Sequence, residues 1–210
     1  MMKGKFITFE GVEGSGKSTQ IKLLSAELSR CGIPFLCTRE PGGPAISEEI
    51  RRILLNPVFS AMLPRTELLL YMASRCQHTG EWIIPALVDG KTVLCDRYYD
   101  STFAYQGAAR NLNHDSIEFL TNLATFGTVP DLTILLDLPV DKGRERIKDR
   151  YLDRLEQENP DFHEKVRQQY LVLAAQNGTR YLVVDAGRDI LSLHLDICTA
   201  VLKLIGVTDV

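Results

Sequence analysis

Short runs of apolar, β-branched or aromatic residues recur along the chain at Phe6–Phe9, Phe35–Thr38, Thr92–Cys95, Leu132–Leu138 and Tyr181–Val184. Between them, apolar positions fall three and four residues apart. That spacing predicts helices at about Lys17–Cys31, Ile46–Leu55, Thr66–Val88, Asp115–Phe126, Val140–Lys148, Phe162–Gln176 and Asp189–Leu204. Strands too uniformly apolar to face water, alternating with helices, predict an α/β fold whose parallel sheet is covered on both faces. Gly32, Gly90 and Gly178 read as helix stops, and Pro85 falls inside the long third helix, where a ring without an N–H predicts a kink. Asp149–Asp161 is charged without clean periodicity and reads as a mobile flap. No internal repeat or linker is visible, so residues 1–210 read as one domain.

Composition narrows the class. With 45% hydrophobic and 24% charged residues over 210 positions, the chain has the balance of a soluble globular protein with one substantial core. A formal net charge of -3 gives no broad attraction for nucleic acid or an anionic membrane, so basic residues that matter should form local clusters. Cys31, Cys37, Cys76, Cys95 and Cys198 are scattered and never paired as C-x-x-C, which points to neither a disulfide framework nor a zinc site. The opening MMKGKFITFEG has too short an apolar part for a signal peptide, and no apolar run reaches membrane-spanning length. A cytoplasmic location is the expectation.

The strongest chemical signal lies directly after the first apolar run. Gly11, Val12, Glu13, Gly14, Ser15, Gly16, Lys17 and Ser18, followed by Thr19, fit G-x-x-x-x-G-K-[ST], between a predicted strand and a predicted helix as that pattern requires. Glycines let successive backbone N–H groups turn inward, and the helix N-terminus adds partial positive charge, so the concavity suits a polyphosphate. Lys17 would reach the β/γ-phosphates and the Ser18 hydroxyl would ligate Mg²⁺. Kinases, GTPases, ATPases and motors share such a loop, so it sets the nucleotide class and leaves the reaction open.

Two other strand ends carry charge. Thr38-Arg39-Glu40-Pro41-Gly42-Gly43 follows the second run, at the sheet edge where open α/β folds bind ligands, so Arg39 and the later Arg51 could face an anionic acceptor. Both also fit exposed arginines. Asp96-Arg97 ends the third run: Asp96 can hold Mg²⁺ or its water shell, and Arg97 can bridge donor and acceptor phosphates. An Asp96–Arg97 ion pair is the competing reading, but neighbours at a strand end point to different sides.

Taken together, FEGVEGSGKSTQ, TREPGG, ELLLYMASRCQH, DRYYDSTFAYQG, PDLTILLD and DRLEQE resemble, in order over nearly the whole chain, the signatures of the bacterial thymidylate kinases. The resemblance implies a P-loop NTPase three-layer sandwich with a five-stranded parallel sheet and a short lid at about 146–161. It also implies transfer of the ATP γ-phosphoryl group to dTMP with Mg²⁺, and a homodimer packed through long helices. Tyr71 would stack on thymine, and Arg75 would meet a base carbonyl from the same helix face. Ser101, Thr102 and Gln106 fall on the base side, Tyr105 against the sugar, and Glu13 near the metal and the 3′-hydroxyl. Family members whose loop lacks an arginine use lid arginines on the transferred group. Here the loop position is Gly14, which directs attention to Arg150 and Arg154, while Arg146 equally fits a charged helix face.

The chain departs from the family pattern at Pro44, which removes a hydroxyl and an N–H, and at Ala108-Ala109-Arg110 and the short, glycine-free Lys148–Asp153 segment. A kinase acting on dUMP, UMP, CMP or a non-nucleotide acceptor is the nearest rival; Tyr71, Arg75, Tyr105 and Gln106 argue against a non-nucleotide. A GTPase switch would need N-K-x-D and D-x-x-G, and neither occurs.

Overall fold

A computed structural model describes residues 4–207; residues 1–3, which carry the first of the two lysines ahead of the first strand, and 208–210 lie outside the described residues. The strands are β1 (Phe6–Glu10), β2 (Phe35–Arg39), β3 (Thr92–Asp96), β4 (Leu132–Asp137) and β5 (Tyr181–Asp185). They form one sheet in the order β2-β3-β1-β4-β5, with every pairing parallel. Around it pack α1 (Lys17–Arg30), α2 (Ala45–Leu55), α3 (Pro64–His78), α4 (Ile84–Val88), α5 (Tyr99–Thr102), α6 (His114–Thr125), α7 (Val140–Ile147), α8 (Pro160–Gln176) and α9 (Ile190–Ile205). This is the expected three-layer α/β sandwich.

Successive residues of β1 show why the sheet is covered twice. Phe6 packs with Ile83, Leu87 and Tyr98, whereas Ile7 and Phe9 join a larger cluster with Leu24, Leu28, Ile134, Val166 and Ile197. Alternate side chains point to opposite faces, so both faces meet apolar cover. Each fully buried aliphatic side chain contributes roughly 1.5–3 kcal/mol.

Three elements differ from the periodicity. The helix predicted over Thr66–Val88 is broken into α3, a wider π-helical turn at Thr79–Ile83, and α4. Pro85 has no N–H for the preceding turn and its ring crowds the carbonyl four residues back, and widening the turn relieves both. A second π-helical stretch, Phe103–Ala109, continues α5 where no helix was predicted, because aromatic and polar residues there follow no 3.6-residue period. Each of β1, β2, β3 and β5 runs one residue beyond its apolar run, ending on Glu10, Arg39, Asp96 and Asp185, while β4 stops at Asp137.

Glu10 is fully buried at the end of β1. Its carboxylate accepts from the Tyr98 N–H (2.8 Å), the Ser101 hydroxyl (2.7 Å) and the Tyr170 hydroxyl (2.9 Å), which gathers β1, α5 and α8 around one acid. Burial and the Asp100 carboxylate push it up to about 7, against the pull of Arg97 and the hydrogen bonds from Ser101 and Tyr98. The folded chain therefore holds this proton more tightly than the unfolded chain. The stability it contributes is full below about pH 4.5 and is lost as the pH rises through about 7. In urea titrations, the wild type is expected to lose roughly 3 kcal/mol relative to Glu10→Gln across that window; parallel pH curves for the two proteins would remove the assignment.

Candidate active site

At the carboxyl edge of the sheet lies a cavity of about 600 Å³. Its floor is the turn between β1 and α1. Gly11, Gly14 and Gly16 there have φ of 138°, 74° and 97°, a left-handed backbone that side chains disfavour. Lys17 is buried, and its ammonium donates to the carbonyls of Gly11 and Val12, both at 2.9 Å. Burial and the nearby Arg97 push it down to about 8.

Gly14 has a second, steric reason to be glycine. A Cβ there would lie 2.3 Å from the carbonyl oxygen of Gly143 in α7, and a Cβ on Gly143 would lie 2.4 Å from the carbonyl oxygen of Glu13. The loop and α7 thus meet backbone to backbone. Arg146, one turn along α7, donates to the carbonyls of Gly14 and Ala186, both at 3.1 Å.

The strand-end pair diverges. The Ser18 hydroxyl donates to Asp96 at 3.0 Å, while Arg97 turns away to donate to Glu13 at 2.9 Å and to the Tyr170 hydroxyl at 3.0 Å. Arg97 takes a left-handed backbone conformation, φ 71°, and its guanidinium sits 5.1 Å from the centre of the Tyr105 ring. Tyr105 donates to the same Glu13 oxygen at 2.6 Å. Burial pushes Glu13 up, but Arg97 and His163, whose Nδ1 is 3.4 Å from the other Glu13 oxygen, hold it well below the usual carboxylate range. A permanently ionised acid therefore fixes the direction of Arg97.

Tyr71 and Arg75 of α3 also line the cavity, with Ser101, Thr102, Tyr105 and Gln106. Arg75 is almost completely buried and donates to Glu40 (2.7 Å), to Thr102 (2.8 Å) and to the Tyr98 carbonyl (3.2 Å). Arg39 pairs with Glu48 at 2.9 Å, and Arg51 donates to the Pro41 carbonyl at 2.6 Å. Pro44 stands just ahead of α2 as its capping residue.

Of the residues expected at the site, Glu13, Gly14, Ser15, Gly16, Lys17, Ser18, Thr19, Arg39, Arg51, Tyr71, Arg75, Asp96, Arg97, Ser101, Thr102, Tyr105, Gln106 and Arg150 line this one cavity. Gly11 and Val12 form the loop behind it. Arg154 is different: it lies off the cavity, donating to the Leu54 carbonyl at 2.7 Å and pairing with the buried Glu67 at 2.7 Å. Glu67 also holds Gln106 (2.9 Å) and Arg110 (3.2 Å), so it collects charge that would otherwise lie buried without a partner. Arg150, at the cavity mouth, pairs with Glu156.

Ala186, Arg188 and Ile190 close the loop end of the cavity and escaped the sequence reading. So did Glu10, Glu67 and His78, which are fully buried, and Glu40, which is nearly so. The three acids leave a signal, a carboxylate at or just past the end of an apolar strand or inside an apolar helix. Among the described residues no helix is long and apolar enough to cross a membrane.

The family model for thymidylate kinase matches residues 9–197. The thymidylate kinase of Pelotomaculum thermopropionicum is 49% identical over 201 residues, covering 95% of this chain and 93% of that protein. That of Geotalea daltonii is 50% identical over 207 residues, covering 95% and 97%. That of Carboxydothermus hydrogenoformans is 50% identical over 185 residues, covering 88% and 90%. The matched span holds the phosphate loop, the charged strand ends and the α3 wall in a single cavity, and the chain belongs to the thymidylate kinase family.

Proposed function

We propose that this chain transfers the γ-phosphoryl group of ATP to the 5′-phosphate of dTMP, giving dTDP and ADP, as one domain over residues 1–210 with a lid at about 146–161. The observation that carries the reading is one continuous cavity. It is floored by Lys17 and the loop, walled by Tyr71 and Arg75, and has Arg97 tied to both Glu13 and Ser101. An acceptor phosphate oxygen attacks the γ-phosphorus as the bond to the β,γ-bridging oxygen breaks. That asks little covalent chemistry of the protein, so positioning and electrostatics must supply the catalysis.

Loop N–H groups and Lys17 hold the donor phosphates, with its nucleoside toward Ala186, Arg188 and Ile190. Tyr71 stacks on the base; Arg75, Ser101, Thr102 and Gln106 address its edge; Tyr105 lies along the sugar; Arg39, Arg51 and Arg97 face the acceptor phosphate. The Ser18 hydroxyl and Asp96 carboxylate, 3.0 Å apart, are hard oxygen donors at the cavity and fit Mg²⁺, which keeps several waters and takes one or two protein ligands. Ser18 and Asp96 would hold that ion, which when bound adds positive charge between the phosphates.

With Arg154 engaged by Glu67, Arg150 is the lid cation best placed for the transferred group, and Arg154 ties the middle of the lid to α2 and α3. Exposed Phe119, Leu123 and Phe126 fall on one face of α6 and its end, beside α3 with its exposed Leu69, an apolar face that supports a homodimer. Five free thiols, one of them exposed on Cys37, suit a reducing cytoplasm, and the substrates call for neither nucleic acid nor membrane.

Lys17→Ala should lower kcat by about 10²- to 10³-fold without changing the thermal melt, and retained turnover would remove the loop assignment. In an ADP-release assay with dTMP, dUMP, UMP, CMP and AMP, dTMP should have the highest kcat/KM; another preferred acceptor would sink the base-site reading. Arg150→Ala is expected to lower kcat about 100-fold with little effect on unfolding. Arg154→Ala should instead cost about 1–3 kcal/mol in urea, and the reverse pattern would exchange their roles.

A further inference from the structure

Behind the α3 wall a chain of buried polar groups ends on Arg75, and its other members have no role in the steps above. The Thr38 hydroxyl is 2.6 Å from Nε2 of His78, whose Nδ1 is 3.0 Å from Oε1 of Glu40. The other Glu40 oxygen, Oε2, accepts from Nε of Arg75 at 2.7 Å. His78, Glu40 and Arg75 are each less than 5% exposed. A Cβ on Gly43 would come within 2.8 Å of the His78 ring, so the loop after β2 presses directly on the imidazole. The chain therefore joins the segment that carries Arg39 to the helix that carries Tyr71 and Arg75.

The hydrogen count shows what this arrangement does to the site. Arg75 has five N–H groups. Nε is committed to Glu40, one Nη1 hydrogen to the Thr102 hydroxyl oxygen, the other Nη1 hydrogen to the Met72 Sδ at 3.8 Å, and one Nη2 hydrogen to the Tyr98 carbonyl. Among the described residues the second Nη2 hydrogen has no protein acceptor. Because Thr102 already accepts from Arg75, its own hydrogen is left to donate. Arg75 and Thr102, in contact at 2.8 Å and both lining the cavity, can converge on the two lone pairs of a single 4-oxo oxygen of a pyrimidine and would both oppose a 4-amino group. That pattern exists only while the guanidinium is held in this rotation; Thr102 and the Tyr98 carbonyl hold its Nη groups, and Glu40, backed by His78, is the one ionic partner that holds Nε.

We propose that Glu40 and His78 are positioning residues that set the preference for oxo- over amino-pyrimidine nucleotides by fixing Arg75; this rests on the thymidylate kinase reading above. The experiment is steady-state kinetics of Glu40→Gln, His78→Phe and His78→Gln with saturating ATP and either dTMP or dCMP as acceptor, alongside KM for ATP and thermal melts. In Glu40→Gln and His78→Phe, KM for dTMP should rise about tenfold or more. The dTMP-to-dCMP ratio of kcat/KM should fall about tenfold, and KM for ATP should stay within about twofold. His78→Gln can still donate to Glu40 and accept from Thr38, and it should recover most of the ratio.

A purely structural role would lower kcat equally for both acceptors with KM and the ratio unchanged, and that result overturns the proposal. If Glu40→Gln fails to fold, the two His78 variants decide alone. A wild type that does not prefer dTMP would instead overturn the underlying functional reading, so the two failures are separable.

Discussion

Gly14 and Gly143 bring the phosphate loop and α7 into direct backbone contact, and much of the site follows from that approach. With no room for a side chain at position 14, no cation can project from that point of the loop. Under the proposed function, positive charge for the transferred group beyond Lys17 and Arg97 comes from farther along the chain, where α7 leads into the segment that bears Arg150. Arg146 fastens the same contact from the side by donating to the Gly14 carbonyl. The geometry that shapes the cradle therefore also decides which element completes it.

The sheet contributes in a complementary way. All five strands end on an ionisable residue, so the carboxyl edge is a row of charge laid over an apolar core. Most of these groups find a fixed partner: Glu10 with three donors, Arg39 with Glu48, Asp96 with Ser18, Asp137 with Arg167. For the fully buried Glu10, missing partners would cost several kcal/mol, and at the more exposed ends the pairing leaves the side-chain directions determined before any substrate binds. Arg97 and Glu13 show the result: a strained backbone conformation and a permanently ionised acid together aim one guanidinium into the cavity.

Much of this was readable from residue order because it depends on local pattern. Apolar runs placed all five strands to within a residue, and glycine spacing before Lys17 placed the loop. The extra residue at the end of four strands was not legible, because hydropathy ends at Glu10 or Asp96 while backbone pairing continues for one more peptide. The π-helical turns at Thr79–Ile83 and Phe103–Ala109 escaped for a related reason, since a five-residue hydrogen-bond spacing leaves no 3.6-residue signature. The contacts of Arg154 with Leu54 and Glu67 were not legible either, because the chain there is irregular and both partners lie far away in sequence. Long-range partners such as Glu67 are set by tertiary packing alone.

The segment between α7 and α8 is held ahead of its start by Arg146 on the loop and at its middle by Arg154 on α2 and α3. Fixing a residue's backbone costs about 1–2 kcal/mol of conformational entropy, and a long free lid would incur that loss at every position each time it ordered. Under the proposed function that loss falls only on the few residues around Arg150, between the two holds. The brevity of Lys148–Asp153 then limits how much disorder is given up to place the Arg150 cation.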